Sequence, residues 1–173
     1  MKPIIWLFIE GDADEKFFNK IIKPKFEKVY QVIPYKYSRE TIENFKNLIE
    51  RCCEKKEKFI ITCDLDESPC RFKRKIEICK KADYLAQYTD VVIIINEIES
   101  WYLAGLPEKF FKKLEIKDKI VTTNSLTKEQ FKKLKPPMFH SEINFMNFIL
   151  ERYDSTTACK KNASFEEFYN SIK

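Results

Sequence analysis

The sequence predicts an α/β fold: a three-layer sandwich on a central, mostly parallel four-stranded sheet, with extra C-terminal helices. Two observations predict it. Short runs rich in Ile, Val and Phe alternate with stretches of helical periodicity over roughly the first hundred residues, and such alternation implies parallel strands joined by crossover helices. Three of the runs, Ile4 to Ile9, Phe59 to Thr62 and Val91 to Ile95, also lead directly into acids: Glu10, the pair Asp64 and Asp66, and the pair Glu97 and Glu99. In an open α/β sheet, ligands collect outside the carboxyl ends of the strands. The pattern that predicts the fold therefore also predicts where its chemistry sits.

Each element follows in order. Strand one covers residues 4–9, and a helix over about 13–27 carries Phe17, Phe18, Ile21 and Ile22 at helical spacing. Residues 29–35 form strand two, ending near Pro34, since proline cannot donate to a ladder. A helix runs from Ser38, its capping residue, to Lys56, with Ile42, Phe45, Leu48, Ile49 and Cys52 as its apolar face. Strand three is 58–63, a helix over 71–86 turns Ile76, Cys79 and Leu85 inward, and strand four is 90–96. A helix beginning at Ile98 is stopped by Gly105 and Pro107, and shorter helices are expected near 107–114, 127–134, 141–152 and 164–172. We expect one domain over residues 1–173, with a core over 1–97 and a helical extension over 98–173.

Composition narrows the function. The chain of 173 residues is 44% hydrophobic, enough for a core, and 34% charged, which gives it a solvated surface. No apolar stretch reaches the roughly 20 residues of a membrane span, and the N-terminus lacks a signal peptide's small-residue cleavage site, so a cytoplasmic protein is expected. The six cysteines contain no C-x-x-C pair, and the lone His140 cannot complete a zinc set. Free thiols behaving as small apolar residues are expected, Cys63 at a strand end among them, and His140 is read as structural. Net charge is +5, concentrated in two basic runs: nine Lys against three acids over 109–135, and Arg71, Lys73, Arg74, Lys75, Lys80 and Lys81 against Glu77 over 71–81. Basic surface beside an acidic pocket suits a polyanion held against metal, although each run alone also reads as a solvated helix face.

The acids carry the chemistry. Asp64 and Asp66 are two apart, so on an extended segment both carboxylates face one side and one cation. Mg²⁺ typically takes one or two protein carboxylates together with water and phosphate oxygens. Glu10 ends strand one, immediately before Gly11, one of only two glycines where average usage would give roughly twelve. A glycine so scarce is expected where φ or a close approach requires it. Asp12 is read as a helix cap with Glu15 as its partner, so Asp12, Asp14 and Glu15 have a structural explanation that Glu10 lacks. Glu99 opens a helix, where a carboxylate also complements the dipole; it is a candidate ligand, with Glu97 more peripheral. Arg71, Lys73 and Arg74 either meet a phosphate or form a solvated face. Trp101 is assigned to the core, and Ser164 to the N-cap of the last helix rather than to phosphate.

Glu10-Gly11-x-x-Asp14-Glu15-x-Phe17, followed by a strand ending in Asp64-x-Asp66, resembles the TOPRIM domain, a Rossmann-like metal-binding module. That module is shared by topoisomerases, bacterial primases, small ribosomal-RNA maturation nucleases and overcoming-lysogenization-defect (OLD) nucleases. This resemblance covers about residues 4–96. Glu97-Ile98-Glu99-Ser100-Trp101-Tyr102-Leu103-Ala104-Gly105 and Asn162-Ala163-Ser164-Phe165 extend it toward small TOPRIM-like proteins near the OLD nucleases. Glu67-Ser68-Pro69-Cys70 stands where primases and topoisomerases often carry a glycine, which favours the OLD-like branch.

The resemblance implies that Glu10 binds metal or serves as general acid/base and that Asp64 and Asp66 hold Mg²⁺ or Mn²⁺; Glu99 is the further candidate ligand from its place after strand four. It implies a nuclease acting on DNA or RNA, with defence against mobile DNA as family context. It also implies a nucleic-acid partner and a separate protein such as an ATPase; composition already speaks against a membrane partner. One alternative is a non-catalytic module that binds nucleic acid or protein. Another is a phospho-acceptor receiver-like domain, although Asn96-Glu97-Ile98 occupies the place of its required lysine.

Overall fold

A computed structural model describes residues 2–116 and 120–172. Four parallel strands, β1 (Ile4–Ile9), β2 (Gln31–Lys36), β3 (Lys58–Asp64) and β4 (Val91–Ile94), form one sheet in the order β2-β1-β3-β4. The α/β class expected from the alternating pattern is the class observed. The chain divides into two units, residues 1–94 and 95–173.

The first unit holds the sheet. From β1 the chain moves outward to β2, then returns across β1 to place β3 on its other side, with β4 beyond. The winding direction therefore reverses between β1 and β3. Such a switch point is where an open α/β sheet forms its crevice. Glu10 directly follows β1 and Asp64 closes β3, so both acids sit at the reversal.

Side-chain alternation builds the core. Phe8, Phe59, Ile61, Cys63, Val91 and Ile93 face one side, where they pack with Phe45, Ile49 and Cys52 of α3 (Ile42–Glu54) and with Ile78 and Cys79 of α4 (Arg71–Lys81). Ile5, Leu7, Ile9, Ile60, Val92 and Ile94 alternate to the other face and are also buried. Strands buried on both faces read as continuous apolar runs, which is why they stood out in the sequence.

Several expectations need correction. The first helix is α1 (Asp12–Phe17), a π-helical turn over Phe18–Ile22, and α2 (Lys23–Phe26). Pro24 lacks the N–H that would bond the Lys20 carbonyl, and the ladder widens just before it. Pro34 lies inside β2, paired with Leu7, because β2 is an edge strand. Thr41 caps α3, its side chain accepting from the Asn44 N–H at 3.1 Å, and Ile42 is exposed. Ser38 instead donates its hydroxyl to the Glu10 carbonyl. The fourth helix stops at Lys81, and Asp83 and Tyr84 take positive φ.

The second unit is helical among its described residues: α5 (Glu99–Ala104), α6 (Glu108–Lys113), α7 (Lys128–Leu134), α8 (Glu142–Leu150), α9 (Ser155–Lys161) and α10 (Ala163–Ile172). The sequence reading missed α9, which Asp154 caps by accepting from the Thr156 and Thr157 N–H groups. Lys117 and Lys119 of the second basic run lie outside the described residues. No helix among the described residues is long and apolar enough to cross a membrane.

Trp101 is fully buried, as expected, and its indole N–H donates to Ser164 Oγ at 2.9 Å. Ser164 is not a cap: it is buried inside α10, accepts from the Ile95 N–H at 3.2 Å and donates to Asn162 Oδ1 at 2.7 Å. Asn162 caps the helix, its Oδ1 accepting from the Phe165 N–H at 3.0 Å. Neither glycine takes positive φ, so close approach explains both. A Cβ on Gly105 would lie 2.2 Å from the Tyr153 ring, and one on Gly11 would lie 3.1 Å from Asp14 Oδ2. His140 is exposed, so it is no part of a core.

A candidate acidic site at the switch point

Glu10 bridges the two central strand ends. Its Oε2 accepts from the Asp64 backbone N–H at 3.0 Å, and its Oε1 accepts from the Tyr37 hydroxyl at 3.1 Å. Tyr37 follows the end of β2, so three strand ends meet at one carboxylate. Burial, then the neighbouring Cys63 and Glu10, pushes the Tyr37 phenol well above its ordinary value. It therefore remains a proton donor to Glu10. Burial pushes the Cys63 thiol up to about 12, with Glu10 adding to the shift. Cys63 is thus an inert core thiol, as expected; Cys52 and Cys79 are buried too, whereas Cys53 and Cys70 are exposed.

One guanidinium organises the remainder. Arg74, in the second turn of α4, is only 12% exposed at its side chain. Its Nε donates to the Asp64 carbonyl at 3.0 Å, and its Nη2 stands 2.5 Å from Asp66 Oδ2 and 3.8 Å from Glu10 Oε1. Its Nη1 lies 3.4 Å from Glu77 Oε2, which also accepts from the Ser68 hydroxyl at 2.8 Å. Arg74 is therefore neither a solvated face nor a group turned outward to phosphate. It is the cation between Glu10 and Asp66.

The Asp64-x-Asp66 pair is arranged differently from a simple extended segment. The strand ends at Asp64, and the Leu65 N–H bonds the Ile94 carbonyl at 3.1 Å. A turn follows, closed by the Ser68 N–H on the Leu65 carbonyl at 3.2 Å, and Asp66 takes φ 48° within it. Asp tolerates this left-handed conformation better than most residues. Alternation assigns the Asp64 side chain to the face opposite Cys63. Asp64 enters the cluster through its backbone, and Asp66 through its carboxylate.

Arg71 and Lys73 are exposed on α4. Lys73 joins Asp66, Glu67, Ser68, Pro69, Arg74 and Glu77 in lining an open cleft of about 530 Å³. At the helix start, Asp14 Oδ2 accepts from the Gly11 N–H at 3.0 Å, so Gly11 rather than Asp12 is the capping position. Asp12 and Glu15 pair with Lys36 at 2.8 and 2.9 Å.

Glu99 belongs to the second unit. Its side chain is 5% exposed and lies 3.8 Å from Lys128 Nζ, and burial raises its pKa. Glu97 accepts from the Lys128 backbone N–H at 2.8 Å. Asn96, at φ 62°, donates its side-chain amide to the Asn124 and Leu126 carbonyls at 3.2 Å. Among the described residues no group of three or more His, Cys, Asp or Glu side chains is gathered as a metal would require.

Sequence reasoning missed Tyr37, Ser38 and Glu77. Tyr37 and Ser38 had a usable signal, since they follow β2 and so reach the same sheet edge as Glu10. Glu77 had one also, three residues after Arg74 on a helix.

Fold and site together define an α/β domain with an acidic cluster, balanced by one arginine, at the switch point of a parallel sheet. No protein-family model matches the sequence, and no curated protein matches it. Among solved structures, the chain is similar to the C-terminal region of the Burkholderia pseudomallei OLD protein. The match covers 99% of this chain and 96% of that one, at 15% identity and a TM-score of 0.44.

Proposed function

We propose that the switch-point cluster is a TOPRIM-type site that hydrolyses phosphodiester bonds in DNA or RNA with a bound Mg²⁺ or Mn²⁺. The observation that supports this most is that Glu10 and Asp66, from different strand ends, already share one cationic group. The donor set is hard oxygen, as either ion prefers. Three carboxylates, Glu10, Asp66 and Glu77, surround or adjoin a single guanidinium, leaving negative charge for a divalent ion to neutralise. Glu10, Asp64 and Asp66 would hold it. When bound, such an ion supplies Lewis-acid activation of water and of the departing oxygen. Tyr37 and the Asp64 N–H fix the Glu10 carboxylate in place, so that Glu10 can accept a proton without reorienting. Lys73 and Arg71 hold the phosphate backbone at the cleft without reading sequence.

The test is cleavage of single- and double-stranded DNA and RNA with Mg²⁺ or Mn²⁺. Glu10→Gln and Asp66→Asn should each lower the rate about 100-fold or more, with unchanged circular dichroism. Wild-type protein that cleaves none of the four substrates with either metal would sink the catalytic claim.

One observation favours a second reading, a non-catalytic module that binds nucleic acid or protein: Arg74 already fills the cation position. Nucleic-acid binding that EDTA leaves unchanged, together with absent cleavage, would decide for it. A separate ATPase partner belongs to either reading and is testable by co-purification.

A further inference from the structure

Helix α4 carries an apolar stripe at positions 72, 76 and 79, the spacing of one helix face. The stripe emerges from the core in steps: Cys79 is buried, Ile76 is half-buried, and Phe72 is 62% exposed. The stripe thus leaves the core at the first turn of the helix, two residues before Arg74, which bonds the Asp64 carbonyl at the end of β3. Most of the Phe72 surface there faces solvent rather than the core that Ile78 and Cys79 help to close.

Its neighbours are cationic. Arg71 and Lys73 flank Phe72 on either side at about 100° around the helix, and Lys80 lies in the same sector as Lys73, two turns on. Arg71, Lys73 and Lys80 are exposed, Lys73 lines the cleft, and the first turn of α4 contains no acid. An aromatic face set among cations beside a phosphodiester site matches one ligand chemistry, an unpaired nucleotide. The base stacks on the ring while the cations neutralise the flanking phosphates. A duplex keeps its bases stacked on one another and offers the ring nothing comparable.

We propose that the first turn of α4 is a single-strand platform on which Phe72 stacks a base and Arg71 and Lys73 hold the adjacent phosphates. The platform would guide the strand into the cleft at Asp66. Its role as a feed to that cleft rests on the nuclease reading; its binding does not.

The experiment is fluorescence anisotropy in EDTA, with a labelled oligothymidine of about 16 nucleotides and a hairpin duplex of equal length. Wild-type protein should bind the single strand more tightly. Phe72→Ala should weaken single-strand binding about tenfold and leave duplex binding unchanged. Phe72→Leu should behave like Phe72→Ala, because it keeps apolar surface but not the ring, and Phe72→Trp should restore binding. Lys73→Ala should reduce the salt slope by about 0.7. The proposal is overturned if the wild-type protein does not bind the single strand, or if Phe72→Ala binds it as tightly as wild type. It is equally overturned if Phe72→Leu retains the binding that Phe72→Ala loses, since an apolar protein-docking contact would behave so. Binding as described without any cleavage leaves the platform standing and removes only the hydrolytic reading.

Discussion

Arg74 is the residue on which the site turns. Its sequence context, Arg71-x-Lys73-Arg74 in a basic run, treats it as equivalent to its neighbours. The fold separates them: Arg71 and Lys73 stay exposed, while Arg74 is drawn between Glu10 and Asp66. A divalent ion bound by Glu10 and Asp66 draws on carboxylate oxygens that the guanidinium now holds, so under the proposed function the two compete. Arg74→Gln should therefore have opposite effects with and without metal. In EDTA it should destabilise the protein by about 1–3 kcal/mol, because charged hydrogen bonds are lost in a partly buried cluster. In Mn²⁺ that loss should shrink, and Mn²⁺ should bind the variant more tightly than wild type. Urea denaturation with and without metal, together with calorimetric titration, reads both. Weaker Mn²⁺ binding by the variant would show that Arg74 supports the ion rather than competing with it.

At the scale of elements, the two late motifs resolve into one structural device. Glu97 to Gly105 and Asn162 to Phe165 are far apart in sequence, yet hydrogen bonds join α5 to the start of α10. Ser164 Oγ takes the Trp101 indole N–H and the Ile95 N–H, while Asn162 donates to Ser100 Oγ at 3.2 Å and Thr123 Oγ1 at 3.0 Å. Ser164→Ala should cost about 1–3 kcal/mol, because two buried donors lose their acceptor, and Trp101 fluorescence during denaturation would report it. A variant as stable as wild type would mean that water or Asn162 replaces the hydroxyl. These contacts also show what was legible in the sequence and what was not. β1, β3 and β4 were legible because both sheet faces are buried there, which writes each of them as an apolar run. Glu10 was legible because it is polar at the end of such a run. The roles of Ser164 and Arg74 were not, because a short polar or basic residue in a helix looks the same whether it faces solvent or a partner far away in sequence. The turn at Asp66 was hidden similarly: nothing in Asp64-Leu65-Asp66 marks where extension stops, and the left-handed residue is an aspartate rather than a glycine.

Across the whole molecule, the two tryptophans fall one to each unit, Trp6 in residues 1–94 and Trp101 in residues 95–173. A Trp6→Phe variant therefore isolates a fluorescence signal from the second unit, and that unit carries a titration with a definite sign. Burial raises the pKa of Glu99 above its ordinary value of 4.5, and the approach of Lys128 does not cancel the shift. Between 4.5 and the raised folded value, the folded chain binds more protons at this position than the unfolded chain. Stability from Glu99 is thus fully present below 4.5 and is lost as pH rises through the folded value. Glu99→Gln keeps the shape of the side chain but removes the charge that burial opposes. In the Trp6→Phe background without metal, the Glu99→Gln midpoint should equal its parent's at pH 4 and exceed it at pH 7. A midpoint that falls below the parent at pH 7 would mean that the Lys128 pairing outweighs the desolvation of Glu99.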